Sequence, residues 1–126
     1  MSSSLILFLL SRILLASYFL KAGINNAFNL KHIAGLLKSK KIPFPTLGAL
    51  AVVVLQIVAS LAIILNIYTL WASLALIIFT LFANFLICNY WTMEGVQKRN
   101  VSFIFYANIS VVGGLLLLSV ISLGSF

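Results

Sequence analysis

The chain has 126 residues, 63% of them hydrophobic, and nine charged side chains: eight Lys or Arg against one acid, Glu94. Soluble domains carry roughly 25% charged residues, and the 7% here is too little to cover a water-facing surface. The apolar runs must face lipid or one another, which excludes a second, soluble domain.

The net charge of +7 would suggest nucleic acid in a soluble protein. Here the basic residues flank apolar segments, so anionic headgroups and the positive-inside rule account for them, and no nucleic-acid partner is expected.

A membrane span needs about 20 mostly apolar residues. The chain-order pattern predicts an all-α integral membrane protein, a single transmembrane domain over residues 1–126 with spans at about 5–24, 46–65, 70–88 and 102–123. The first span carries Arg12 inside an apolar run, then Lys21, and ends at Asn25 and Asn26. Its N-terminal tail lacks the basic residues of a secretory signal, so a retained helix is expected.

The longest connection, residues 27–45, places Leu30, Ile33 and Leu37 at helical spacing, with Lys31, Lys38, Lys40 and Lys41 as its polar side. That pattern predicts a short interfacial helix with its apolar face in the headgroup region. Pro43 and Pro45 then stop it, and proline suits the first turn of the following span. Residues 66–69 are too few for anything but a tight turn, so the second and third spans must be antiparallel neighbours. Tyr68 and Trp71 at one end, and Tyr90 and Trp91 at the other, form the aromatic belts found at the two membrane interfaces. A polar loop is expected from Asn89 to Asn100.

The basic residues cluster in the loops after spans one and three. Both loops lie on one side, and the two tails and the 66–69 turn carry no Lys or Arg. The expected topology has that basic side in the cytoplasm and both termini outside it, in a bacterial inner membrane. Lys31, Lys38, Lys40 and Lys41 are the membrane-surface candidates.

Arg12 is the residue that most needs an explanation, since a central arginine costs about 2.5–3.5 kcal/mol on insertion scales. No Asp or Glu lies in any span to pair with it. Its expected partners are dipoles such as Gln56, Asn84 or a backbone carbonyl, a lipid phosphate, or an anionic or carbonyl-bearing ligand. Snorkelling to the nearer interface is the alternative. Gln56, Asn84 and Asn108 are further intramembrane polar residues, grouped with Arg12 as ligand-binding candidates. Interhelical hydrogen bonding explains them as well. Ser110 and Gly114 form a small-xxx-small pair beside Gly113, which marks a helix-packing face.

Several absences narrow the chemistry. One histidine, His32, and one cysteine, Cys88, exclude a bis-histidine haem, a multi-histidine metal cluster and a Cys-x-x-Cys redox pair within this chain. Glu94 has no second carboxylate for general acid–base work. No catalytic set, metal site or cofactor of the chain's own is expected. Membrane lipids, other membrane subunits or further copies of the chain are the expected partners.

Three stretches carry a resemblance to a known family. They are SRILLASYFLKAGINNAFNL with Arg12, Phe19 and Gly23, then KKIPFP, then NYWTMEGVQKRNVSFIFYANISVVGGLLLL with Asn108, Gly113 and Gly114. Together they resemble the DoxX family of small four-helix membrane proteins, related to DoxD-type subunits of thiosulfate–quinone oxidoreductases. The resemblance covers nearly the whole chain. It implies a non-catalytic accessory subunit of a membrane redox or other multi-protein complex, holding a quinone or lipid near Arg12. The alternative is an assembly factor or lipid-binding structural module. The chain departs from the family where a Glu is common in the second span, here Gln56, and where a His is common after the third, here Asn89. Both departures remove a titratable group.

Overall fold

The structure is a computed structural model that describes residues 3–123. The outermost residues of both uncharged tails lie outside the described residues. The elements are α1 (Ser3–Phe28), α2 (Leu30–Ser39), α3 (Pro45–Leu65), α4 (Thr69–Leu86), a single 3₁₀ turn (Tyr90–Thr92) and α5 (Gly95–Leu123). Four of the helices are long and apolar enough to cross a membrane. No strand occurs among the described residues.

The long helices follow the hydropathy, but their polar ends run further than it shows. α1 continues through Asn25 and Asn26 to Phe28, and α5 begins at Gly95, not at 102. The stretch from Gly95 to Asn100, expected as loop, is the first part of α5. Its Val, Gln, Lys and Arg have no strong breaker among them, and ordinary helix propensity continues a helix past the bilayer. Hydropathy reports partition into lipid, so it misses such polar turns. At 29 residues α5 is about 44 Å long, well beyond the ~30 Å hydrocarbon core.

The connections are set by local chemistry. Asn66 closes α3 in the left-handed conformation (φ 57°), which a short polar side chain tolerates better than most. Its N–H reaches back to the Ala62 and Ile63 carbonyls, and Thr69 Oγ1 donates to Asn66 Oδ1 at 2.7 Å. Gly95 (φ 64°) supplies the corresponding backbone conformation where α5 starts.

α2 is the expected short amphipathic helix between the first two spans, and part of its apolar face meets protein. Leu37 is buried, and a Cβ built on Gly48 of α3 would stand 3.1 Å from Leu37 Cδ1. The helix is therefore docked on the start of α3, with Lys31, Lys38 and Lys41 turned outward. Lys40 is half-buried and donates to Asn89 Oδ1 at 3.5 Å.

The four long helices pack in an arc, α1 on α3, α3 on α4, and α4 on α5. The core between them is built from small, branched and aromatic residues, including Ala16, Phe19, Ile63, Leu76 and Leu115. α1 and α5 close the arc only loosely. Aliphatic and aromatic side chains are exposed along all four helices, as lipid-facing surfaces require.

Candidate functional site

The α1–α3 seam is tight because Gly23 lacks a side chain. A Cβ there would meet Ile57 Cγ1 at 2.9 Å and Gln56 Cβ at 3.0 Å. One helical turn on, Asn26 Nδ2 donates to Gln56 Oε1 at 2.7 Å. Gln56 is 4% exposed, so this bond replaces the water its amide would otherwise need.

The seam between α4 and α5 carries a second polar network. Asn84 Nδ2 donates to the Phe105 carbonyl at 3.0 Å, and Asn108 Nδ2 donates to Asn84 Oδ1 at 2.8 Å. Tyr18 of α1 then donates its hydroxyl to Asn108 Oδ1 at 3.1 Å. This last bond ties α1 to α5 part-way along their open seam.

Arg12 lies apart from both networks. Its Nη1 donates to the Ile63 carbonyl at 3.2 Å and more distantly to that of Ile64 at 3.5 Å. These belong to the last turn of α3, where the dipole is negative, and at Ile63 the guanidinium shares the carbonyl with the Asn66 N–H. The guanidinium also stacks over Phe8, one turn earlier, with Cζ 5.0 Å from the ring centroid. Nε is buried without a hydrogen-bond partner. A backbone-carbonyl partner was among the expectations for Arg12, and the carbonyls used are those level with the α3–α4 turn and its aromatic residues Tyr68 and Trp71.

A groove of about 720 Å³ opens between α1 and α5 on the side of the chain termini. Leu7, Phe8, Leu15, Leu117 and Leu118 supply apolar walls, and Arg12 supplies a cation. Gly114 lines it too, where a Cβ would sit 3.6 Å from Leu15 Cδ1. Beyond Tyr18 a smaller cavity of about 150 Å³ is lined by Gln56, Thr80, Asn108 and neighbouring apolar side chains. Tyr18 belongs to the walls of both.

The grouping expected from sequence thus divides. Gln56 and Asn108 border one cavity and Asn84 supports Asn108, whereas Arg12 borders the other space. Of the small-residue set, Gly114 faces α1, while Ser110 and Gly113 are exposed and a Cβ on Gly113 would meet nothing within 4 Å. Tyr18 and Thr80 were not singled out. A tyrosine remote from either aromatic belt was the available signal, because a hydroxyl at that depth needs a partner. Cys88 is half-buried, and no group of three or more His, Cys, Asp or Glu that could hold a metal exists among the described residues.

Comparison with known proteins fits this architecture. The chain is 27% identical over 120 residues to the inner membrane protein YphA of Escherichia coli strain K12, covering 95% of this chain and 86% of the relative. No solved structure matches it. The sequence pattern that defines the DoxX family matches residues 7–89, from the groove face of α1 to the end of α4. With four membrane-crossing helices and this match over most of its length, the chain is an integral, multi-pass membrane protein of the DoxX family.

Proposed function

We propose that this protein is a non-catalytic accessory module of the bacterial inner membrane that holds an amphiphile, a quinone or a lipid, in the groove between α1 and α5. One observation carries the reading: an apolar groove of about 720 Å³ is bordered by the Arg12 guanidinium, and no span contains an acid to neutralise it. The walls suit an alkyl tail. The cation suits an anionic or carbonyl-bearing head, because charge-assisted hydrogen bonds are about twice as strong as neutral ones. The inner-membrane placement draws on the name of the E. coli relative.

The bound amphiphile would be a means of joining a larger complex, redox or otherwise, since this chain brings no metal cluster or redox pair of its own. Orientation completes the proposal. The basic residues of α2, with Lys98 and Arg99, face the cytoplasm and anionic headgroups, and both termini lie outside. A Ser39→Cys variant should label with an impermeant maleimide only after the cytoplasmic side is opened. Labelling of intact cells would reverse the orientation.

Native mass spectrometry of the detergent-extracted chain tests the ligand. The wild type should retain a quinone or phospholipid, and Arg12→Leu should lose most of it while remaining folded. Equal retention by both would sink the role of Arg12, and a wild type that retains neither would sink the ligand. The alternative, an assembly factor or structural module, is favoured by the exposed Ser110 and Gly113 on α5, where another helix can approach closely. In that case a partner subunit, not a lipid, should accompany the chain.

A further inference from the structure

The groove beside Arg12 and the smaller cavity lie in series along the seam between α1 and α5. The groove is lined from Ser4 to Tyr18 on α1 and from Ile121 back to Val111 on α5. The cavity takes over one turn further in, with Tyr18 and Ala22 on α1 and Asn108 on α5. Among the described residues, Tyr18 alone lines both. Its ring meets that of Phe19 edge-on, with centroids 5.2 Å apart, and its hydroxyl donates to Asn108 Oδ1 at 3.1 Å. Asn108 is itself anchored, because its Nδ2 donates to Asn84 Oδ1 on α4. The ring is therefore held at both ends, by its own helix and by α5. A rigid aromatic body with its polar tip tied down makes a partition between the two spaces.

Distances along α1 fix what that partition does to a chain. Arg12 to Tyr18 is six residues, about 9 Å of helix. Tyr18 to Ala22 is four more, about 6 Å. An extended chain advances about 1.2 Å per bond, so a head at Arg12 leaves room for about seven carbons before the ring and about five beyond it. The cavity volume agrees. About 150 Å³ is the share of about five waters, and a methylene is close to a water in size. Phe19, Ala22, Phe79 and Ala83 give the cavity apolar walls, so the ring and not the chemistry beyond it keeps an alkyl chain out.

We infer, resting on the reading that the groove holds an amphiphile, that Tyr18 determines how far the ligand's chain runs along the seam. The chain stops at the ring after about seven carbons, and a longer tail leaves sideways through the open seam into the bilayer. Tyr18 is thus a specificity-determining residue of the groove, distinct from Arg12, which meets the head.

The probe is an alkyl phosphate of about twelve carbons, long enough to pass the ring and fill the cavity, with a photoreactive diazirine at the chain end. It is irradiated with the full chain in detergent, and labelled positions are mapped by peptide mass spectrometry. In the wild type the label should fall on groove residues such as Leu15 and Val111. Tyr18→Ala should shift it to Phe79 and Ala83, and Tyr18→Leu does the same service if the alanine variant does not fold. Tyr18→Phe keeps the ring and should label as the wild type does. Ala22→Leu in the Tyr18→Ala background refills the cavity and should return the label to the groove. Arg12→Leu should lose labelling at both places. A wild-type label already on Phe79 and Ala83, or a label that stays in the groove when the ring is removed, would overturn the stop and leave the groove reading intact. Wild-type labelling that unlabelled alkyl phosphate cannot compete away would overturn the groove reading, and the stop with it.

Discussion

On its α3 flank α1 runs so close that a single Cβ at Gly23 has no room, while on its α5 flank a Cβ at Gly114 meets Leu15 at ordinary van der Waals distance. The first seam is further joined by the Asn26–Gln56 bond, and the second is bridged by Tyr18 and Asn108 beside a groove of about 720 Å³. Both flanks belong to one helix in one solvent. The difference lies in side-chain size: a glycine and a short amide let backbones approach, whereas Leu7, Leu15, Leu117 and Leu118 keep them apart. In lipid, where no hydrophobic force closes a gap between helices, close packing and polar contacts decide which seam shuts. The open seam is where the proposed amphiphile would enter from the bilayer.

The sharpest way to break the contrast is Gly23→Leu. Its side chain would drive into Ile57 and the backbone behind it, and overpacking of this kind costs about 1–3 kcal/mol. A clear fall in the thermal midpoint of the detergent-purified chain is expected. Next is Gln56→Leu, which leaves Asn26 without its partner across the same seam. Interhelical hydrogen bonds in membranes contribute about 0.6–2 kcal/mol, so a smaller fall in midpoint should follow. Gly114→Leu acts on the other flank. It fills the groove, and it should leave stability within about 0.5 kcal/mol of wild type, the range of substitutions away from packed features, yet displace the retained amphiphile in native mass spectrometry. The smallest effect belongs to Gly113→Ala, where a Cβ has open space. A midpoint unchanged or slightly raised by helix propensity is expected. If Gly23→Leu and Gly114→Leu destabilise equally, the two flanks are not different after all.

Much of the fold is legible in the sequence because lipid imposes one strong rule, that backbone polar groups be satisfied within each segment. Four apolar runs then mean four helices. The tight Asn66–Tyr68 turn and the amphipathic Leu30–Ser39 helix follow from local chemistry in the same way. The helical start of α5 at Gly95 was not legible, because polar turns outside the bilayer carry no hydropathic signal. The candidate site was half legible. Arg12, Gln56, Asn84 and Asn108 stand out as polar residues in apolar runs, but which of them share a space depends on the crossing of α1 over α3 and α5. Thr80 is invisible in sequence because a threonine in a helix ordinarily satisfies itself on its own backbone. Docking of Leu37 on α3 likewise depends on Gly48 leaving room for it.

The bond from Arg12 to the end of α3 also has a meaning in time. Its nearer acceptor lies 51 residues further along the chain. At synthesis rates of about 5–20 residues per second, roughly 2–7 s separate the completion of α1 at Phe28 from the synthesis of Ile63. During that interval the guanidinium must rest on water, a headgroup or the insertion machinery. The contact between Arg12 and Ile63 can therefore form only after both helices have been made.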